Sequence, residues 1–147
     1  MRESYCSLAC PWLRIYIRLT LFLGDFDTGE SMLIDLTTRI NNIAFNLRTV
    51  TAAQARSELD GNNGIVIDVR ENEEVDSMSV SGAVVIPRGV LEMKVQALVK
   101  DAATPLYLFC ASGMRAKLAA EQLLHMGYEN VSVITCSVQT IKDATAQ

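Results

Sequence analysis

Short apolar segments alternate with helical patterns over the C-terminal two thirds of the chain. The helical patterns carry apolar residues at intervals of three and four over 52–59, 91–100 and 114–126, and a last helix is expected over 138–144. Alternation at this spacing predicts an α/β domain with a mostly parallel sheet and helices on both faces. The strand-like segments are Arg48 to Val50, Gly64 to Asp68, Ala83 to Ile86, Pro105 to Phe109 and Val131 to Ile134.

The segment Pro105 to Phe109 ends at Cys110, directly before a predicted helix. Parallel sheets place their ligand sites at the carboxyl ends of the strands, so Cys110 lies where such a site is expected. The first turn of a helix presents unpaired N–H groups, which favour an anion. A cysteine here is therefore expected to favour the thiolate, the form that attacks sulfur or phosphorus.

The residues that follow Cys110 suit an anion site. Ala111, Ser112 and Gly113 are small, so this loop can curl with its amides facing inward, and Gly113 permits a positive φ. Arg115 offers a cationic fork for an oxyanion such as thiosulfate. The structural alternative is that Cys110 is a small buried hydrophobic residue that ends a core strand. The complete loop favours catalysis.

Four segments in the right order resemble the rhodanese family. They are Ile67-Asp68-Val69-Arg70-Glu71, Ser81-Gly82-Ala83-Val84-Val85-Ile86-Pro87, the loop Cys110 to Arg115, and Met126-Gly127-Tyr128-Glu129-Asn130-Val131. The resemblance covers about residues 49–144 and assigns 49–147 to a rhodanese-like domain. It implies a three-layer domain on a five-stranded sheet, in which Cys110 carries sulfur as a persulfide and passes it to a thiophilic acceptor.

Loop length distinguishes two branches of this fold. Four residues lie between Cys110 and Arg115, as in the sulfurtransferases, whereas the phosphatase relatives have five. The resemblance thus predicts a sulfurtransferase with Cys110 as the nucleophile and substrate contacts from Ala111, Ser112, Gly113, Met114 and Arg115. The expected donor is a small anion such as thiosulfate and the acceptor a thiol or cyanide, with no cofactor. The alternative is a binding or sulfur-carrier module with little activity of its own.

Polar residues outside the loop are expected to play supporting roles. The family match suggests that Asp68 braces neighbouring loops and that Arg70 supports the fold or the rim of the site. The acidic stretch from Glu71 to Asp76 is expected to be a solvated loop, and Lys117 is spaced to pair with Glu121.

The chain departs from the family pattern at two places. Ser79 stands where the family often has His, and Cys136-Ser137 replaces a Gly-Gly turn. Because that turn lies near the catalytic loop in the family, Cys136 is either a resolving cysteine for oxidised Cys110 or a turn substitution without chemistry, which we favour.

Charge and cysteine content exclude other classes of protein. The net charge of −4 argues against a nucleic-acid partner. The four cysteines are too sparse to demand a disulfide framework, and the close pair Cys6 and Cys10 lacks further ligands for a metal. We expect a cytoplasmic monomer.

The N-terminal third carries no visible chemistry. The apolar stretch from Leu8 to Leu23 contains Arg14 and Arg18, which argues against a membrane span, and it has no signal-peptide cleavage site. We favour an upstream extension over 1–31, with translation starting at Met32, over a membrane-surface anchor. Apolar residues at helical spacing then predict an amphipathic helix over 32–48.

Overall fold

The computed structural model describes residues 33–43 and 45–145. The chain divides into two compact units, 1–34 and 35–147, and the description below concerns the second. The expected extension over 1–31, with Cys6 and Cys10, lies outside the described residues. None of the helices described is long and apolar enough to cross a membrane.

Five parallel strands form one sheet, as the sequence predicts. The order across the sheet is β1-β5-β4-β2-β3, and every neighbouring pair is parallel. On the central strand β4, Leu108 lies opposite Ile67 of β2 on one side and Val133 of β5 on the other. The carboxyl ends of β2, β4 and β5 therefore share one edge of the sheet. The strands are β1 (Arg48–Val50), β2 (Ile65–Asp68), β3 (Val84–Val85), β4 (Leu106–Phe109) and β5 (Val131–Ile134).

Six α-helices accompany the sheet in the described part of the chain, and a 3₁₀ turn at Arg88–Val90 leads into the fourth. The helix after β1 is capped by Thr51, whose side chain accepts the N–H of Gln54 while the Gln54 side chain accepts the N–H of Thr51. The helices are α1 (Leu36–Asn41), α2 (Ala52–Asn62), α3 (Asn72–Ser77), α4 (Leu91–Leu98), α5 (Met114–His125) and α6 (Val138–Thr145).

The core has two halves, one on each face of the sheet. Alternate residues of β4 point to opposite faces, so Leu106 and Leu108 belong to one cluster and Tyr107 and Phe109 to the other. Buried residues of α4 and α5 complete the first cluster, and those of α2 and α6 complete the second. The three-layer arrangement with helices on both faces is thus confirmed.

The amphipathic helix predicted over 32–48 is much shorter in the structure. Helix α1 begins after Asp35, which accepts the Thr38 N–H, and ends at Asn42, whose N–H reaches carbonyls of the last turn. Beyond it, Phe45 packs edge-on against His125 with ring centroids 4.7 Å apart. Phe45 and Leu47 therefore reach the domain from residues that are not helical. Apolar residues at helical spacing do not by themselves distinguish such a segment from a helix.

Three further local predictions are wrong. Helix α2 does not stop before Asp60 but continues through Gly61 to Asn62, and Asn63 takes the left-handed conformation with φ of 52°. Glu121 does not pair with Lys117; it binds Arg39 of α1 at 2.5 Å, with only 6 % of its side chain exposed. The acidic stretch after Arg70 is not a loop but forms α3, where the Glu74 carboxylate accepts the N–H of Glu71. Acidic side chains in its first turn complement the helix dipole.

Candidate functional site

Cys110 lies at the carboxyl end of β4 with its sulfur turned toward the helix that follows. The residue is 1 % exposed, and its Sγ accepts the N–H of Gly113 at 3.2 Å. Gly113 precedes the first turn of α5 and has φ of +81°. A Cβ added there would meet nothing within 4 Å, so it is the backbone conformation, rather than space, that favours glycine. This turn aims an amide at the sulfur atom.

Three of the other residues of the loop are exposed to solvent. Ala111, Ser112 and Met114 are exposed, so the loop surrounds the buried cysteine with small or apolar surface. Arg115 is the one charged residue among the six from Cys110 to Arg115. The loop therefore relies on Arg115 alone for any side-chain charge of its own.

The guanidinium of Arg115 is engaged by Glu74 of α3. Its Nη1 donates to Glu74 Oε2 at 2.6 Å and its Nη2 to Oε1 at 2.8 Å, which is a bidentate pair. Hydrogen bonding to Arg115 is the main reason that the pKa of Glu74 is lowered to about 2. The same bond raises the pKa of Arg115. The Glu74 carboxylate thus binds the guanidinium that the sequence analysis assigns to a donor.

A second ion pair, between Asp68 and Arg70, is more deeply buried than this one. Both side chains are at most 4 % exposed, and Arg70 donates from Nε and Nη2 to both carboxylate oxygens at 2.6–3.0 Å. Its remaining donors reach the carbonyl oxygens of Met78 at 2.8 Å and Glu74 at 3.4 Å. The guanidinium also lies 5.8 Å from the ring centre of Phe109, the residue before the loop cysteine. The pair links the end of β2 to α3.

Cys136 lies toward the opposite face of the sheet from Cys110. Its sulfur accepts the N–H of Ala52, the first residue of α2, at 3.2 Å, and it packs against the cluster beneath α2 and α6. Cys110 belongs to the cluster beneath α4 and α5, and both thiols are free. This placement favours a structural role for Cys136 at the start of α2 over a resolving role.

Sequence reasoning missed Glu74 as a member of the site. It treated four carboxylates after Arg70 as equivalent, because sequence does not show which one a short helix will direct toward Arg115. A sequence signal for this helix was present: Glu74 stands three residues after Glu71, the spacing at which a side chain in the first helical turn accepts the N–H of the capping residue.

A buried thiol at a strand end, with an amide from a helix start directed at its sulfur, places the chain among α/β proteins that carry a cysteine loop at the carboxyl edge of a parallel sheet. Residues 51–144 match the family model of the Rhodanese-like domain. The chain belongs to this family of sulfurtransferases and sulfur carriers, and the resemblance inferred from its motifs is confirmed.

Individual relatives agree with the family. The chain is 27 % identical over 89 residues to the candidate sulfur carrier protein YrkF of Bacillus subtilis (strain 168), covering 60 % of this chain and 47 % of YrkF. It is 32 % identical over 89 residues to the candidate sulfurtransferase YtwF of the same organism, covering 59 % of this chain and 84 % of YtwF. The human single-domain sulfurtransferase TSTD1 has a similar structure, with a TM-score of 0.54, 26 % identity, and coverage of 63 % of this chain and 92 % of TSTD1. The chain thus spans about half the length of YrkF.

Proposed function

We propose that the protein is a sulfurtransferase that moves sulfane sulfur from a donor to a thiophilic acceptor through a persulfide on Cys110. The observation that supports this most directly is the Gly113 N–H directed at Cys110 Sγ at the start of α5. An amide in that position stabilises negative charge on the sulfur, both in the attacking thiolate and in the persulfide.

The reaction consists of two sulfur exchanges. Thiosulfate is the simplest donor to write: the Cys110 thiolate attacks its outer sulfur, the S–S bond breaks, and sulfite leaves with the electron pair. A thiol or cyanide then attacks the outer sulfur of the persulfide, and the Cys110 thiolate leaves. In this proposal the backbone amides from Ala111 to Arg115 surround the transferred sulfur and hold its charge.

A second candidate function is sulfur carriage or partner docking with little turnover. It is favoured by the burial of Cys110, which is 1 % exposed and so offers little surface to a freely diffusing donor. In this case a partner protein would open or contact the loop before sulfur is exchanged. The two candidates share the persulfide and differ in whether the isolated chain turns over.

The test is intact mass spectrometry of the full chain after separate treatment with thiosulfate and with inorganic tetrasulfide, followed by reduction. We expect the wild type to gain one reducible sulfur on the peptide that contains Cys110. Cys110→Ser should lose that signal, whereas Cys136→Ser should retain it. Loading with cyanide-dependent turnover supports the enzyme, and loading without turnover supports the carrier. If neither donor loads Cys110 in a folded chain, the proposal is wrong.

A further inference from the structure

Strand β3 covers only half of its neighbour β2. Its two residues lie opposite the last two residues of β2, whereas β4 pairs with all four. The turn before β3 explains its short length, because the Ala83 N–H donates to the Val80 carbonyl and Gly82 between them has φ of +77°. The chain therefore meets β2 only along its carboxyl half, and the amino half has a sheet neighbour on one side.

The uncovered half of β2 presents one donor and one acceptor of the backbone. Successive residues of a strand direct their N–H and C=O groups to opposite sides. Ile65 donates toward β4 at 2.8 Å, so the Gly64 carbonyl and the Val66 N–H face the other way. No residue in the described part of the chain donates to that carbonyl or accepts that N–H. Farther along the same side, the Asp68 carbonyl accepts the Ile86 N–H at 3.0 Å, as a parallel neighbour requires.

A groove lies at this open position, between helices from the two faces of the sheet. Its volume is about 360 Å³, within the range of ligand clefts. Residues 64–66 form part of its lining, α2 contributes Leu59, and α4 contributes Leu98, which is 46 % exposed. Arg56 is the charged residue among those that line the groove, and it pairs with Asp60 of the same helix. The groove thus combines apolar side chains with an unpaired backbone edge.

We propose that this groove binds an extended apolar segment of a partner protein, which adds to the sheet in line with β3. One residue of a parallel strand makes both missing hydrogen bonds: its N–H donates to the Gly64 carbonyl and its carbonyl accepts the Val66 N–H. An extended backbone supplies a donor and an acceptor at this spacing. The Leu59 and Leu98 side chains in the lining favour apolar side chains on the bound segment.

The groove and the cysteine loop lie at opposite ends of the strands. Gly64 and Val66 flank Ile65, which is opposite Leu106, the first residue of β4. Cys110 follows the last residue of β4, at the other edge of the sheet. A segment bound in the groove therefore does not cover the loop, and the inference does not depend on sulfur transfer by Cys110.

Amide hydrogen exchange of the full chain, followed by NMR, tests the open backbone position. Ile65 is the matched control, because it precedes Val66 on the same strand and its N–H is bonded. After correction for intrinsic rates, we expect Val66 to exchange at least about tenfold faster than Ile65, although Val66 is the more buried of the two. Equal protection of the two amides would show a groove that is already filled and would overturn the proposal. Protection of Val66 that rises with protein concentration would overturn it too, since a second copy would then be the occupant.

Binding is measured by NMR titration of the wild type with the capped tripeptide acetyl-Val-Leu-Val-amide. The control peptide is methylated at the nitrogen of each residue, which removes these backbone donors and keeps every side chain. We expect the first peptide to shift the Val66 amide signal and to slow its exchange. The methylated peptide should bind about tenfold more weakly, the scale of one net hydrogen bond. Equal affinities, or no effect of either peptide on Val66, would contradict strand addition.

Two substitutions on α4 distinguish the groove from the general surface. Leu98→Glu places a charge in the groove lining, and Met93→Glu is the control, because Met93 is 72 % exposed on the same helix and does not line the groove. Affinity for acetyl-Val-Leu-Val-amide should fall about tenfold in Leu98→Glu and stay within about twofold of the wild type in Met93→Glu. The same affinity in both variants would exclude this groove as the binding site. The exchange and peptide comparisons use the wild type, so they decide the proposal even if a variant does not fold.

Discussion

Replacing Asp68 by Asn tests whether the buried pair with Arg70 holds the domain together. The Asp68 carboxylate accepts three hydrogen-bond contacts from the Arg70 side chain, and both side chains are at most 4 % exposed. The substitution keeps the size of the side chain but leaves the Arg70 guanidinium buried without its counter-charge. Removing one partner of a buried ion pair costs about 3–5 kcal/mol.

We expect the cost to lie near the lower limit of that range. Arg70 keeps its hydrogen bonds to the carbonyl oxygens of Met78 and Glu74, and the Asn oxygen can still accept one more. A loss of about 3 kcal/mol is a large fraction of the roughly 5–15 kcal/mol that stabilises a typical domain. The melting temperature should fall by on the order of 10 °C.

Urea denaturation of three variants measures this effect. The control is Asp60→Asn, which breaks the exposed pair with Arg56 on α2 and should cost less than about 0.5 kcal/mol. The double variant Asp68→Leu/Arg70→Met removes both charges, and replacing both partners by apolar residues is often close to neutral, so it should recover most of the loss. If Asp68→Asn is no more destabilising than Asp60→Asn, the argument from burial is wrong.

Three further predictions concern individual residues. Gly61 lies within α2 with open space around its Cα, so Gly61→Ala should raise the free energy of unfolding by about 0.5–1 kcal/mol, whereas Gly113→Ala, at φ of +81°, should lower it by about 1–2 kcal/mol. Equal effects in urea melts would contradict the conformational argument. The Tyr107 hydroxyl donates to Glu58 at 2.6 Å, so Tyr107→Phe should cost about 1–2 kcal/mol in the same assay, and a neutral result would exclude a stabilising bond. The pKa of Glu74 is lowered from 4.5 to about 2 on folding, so the stability that it contributes is present above pH 4.5 and is lost as the pH falls toward 2. Because the pair is about one-third exposed, we expect wild type to exceed Glu74→Gln by at most about 1 kcal/mol at pH 7 and by nothing near pH 2, and a difference that grows on acidification would refute this.

The existence of the strands and their mostly parallel direction could be predicted from sequence, although their order across the sheet was not, because local signals agree with the tertiary arrangement. Ile65 to Asp68 and Leu106 to Phe109 are short apolar runs between helical patterns, and a parallel sheet buries such runs on both faces. The position of Cys110 at the end of β4 follows from the same reasoning. The existence of these strands, and the place of Cys110 at the carboxyl edge of the sheet, are therefore encoded within a few residues.

The pairing of charges could not be predicted, because it depends on how separate elements meet. Lys117 and Glu121 are one helical turn apart on α5, yet Glu121 forms its ion pair with Arg39 of α1. In the same way, the sequence predicts that the Arg115 guanidinium is available to a donor, whereas in the fold it forms an ion pair with Glu74 of α3. Sequence spacing identifies candidate partners on one helix but cannot rank them against residues that folding brings from elsewhere.

The two ion pairs at the site are physically connected through Glu74. Arg70 donates to the backbone carbonyl of Glu74, while the carboxylate of the same residue binds Arg115 at the start of α5. Breaking the buried pair at Asp68 should therefore make the position of α3 less well defined. The hydrogen bonds between Glu74 and Arg115 should weaken as a result. Residues that share a partner in this way are expected to show non-additive effects. In a double-mutant cycle followed by urea denaturation, the loss of stability in Asp68→Asn/Glu74→Gln should be smaller than the sum of the losses in the two single variants. Fully additive losses would mean that the two ion pairs stabilise the domain independently of each other.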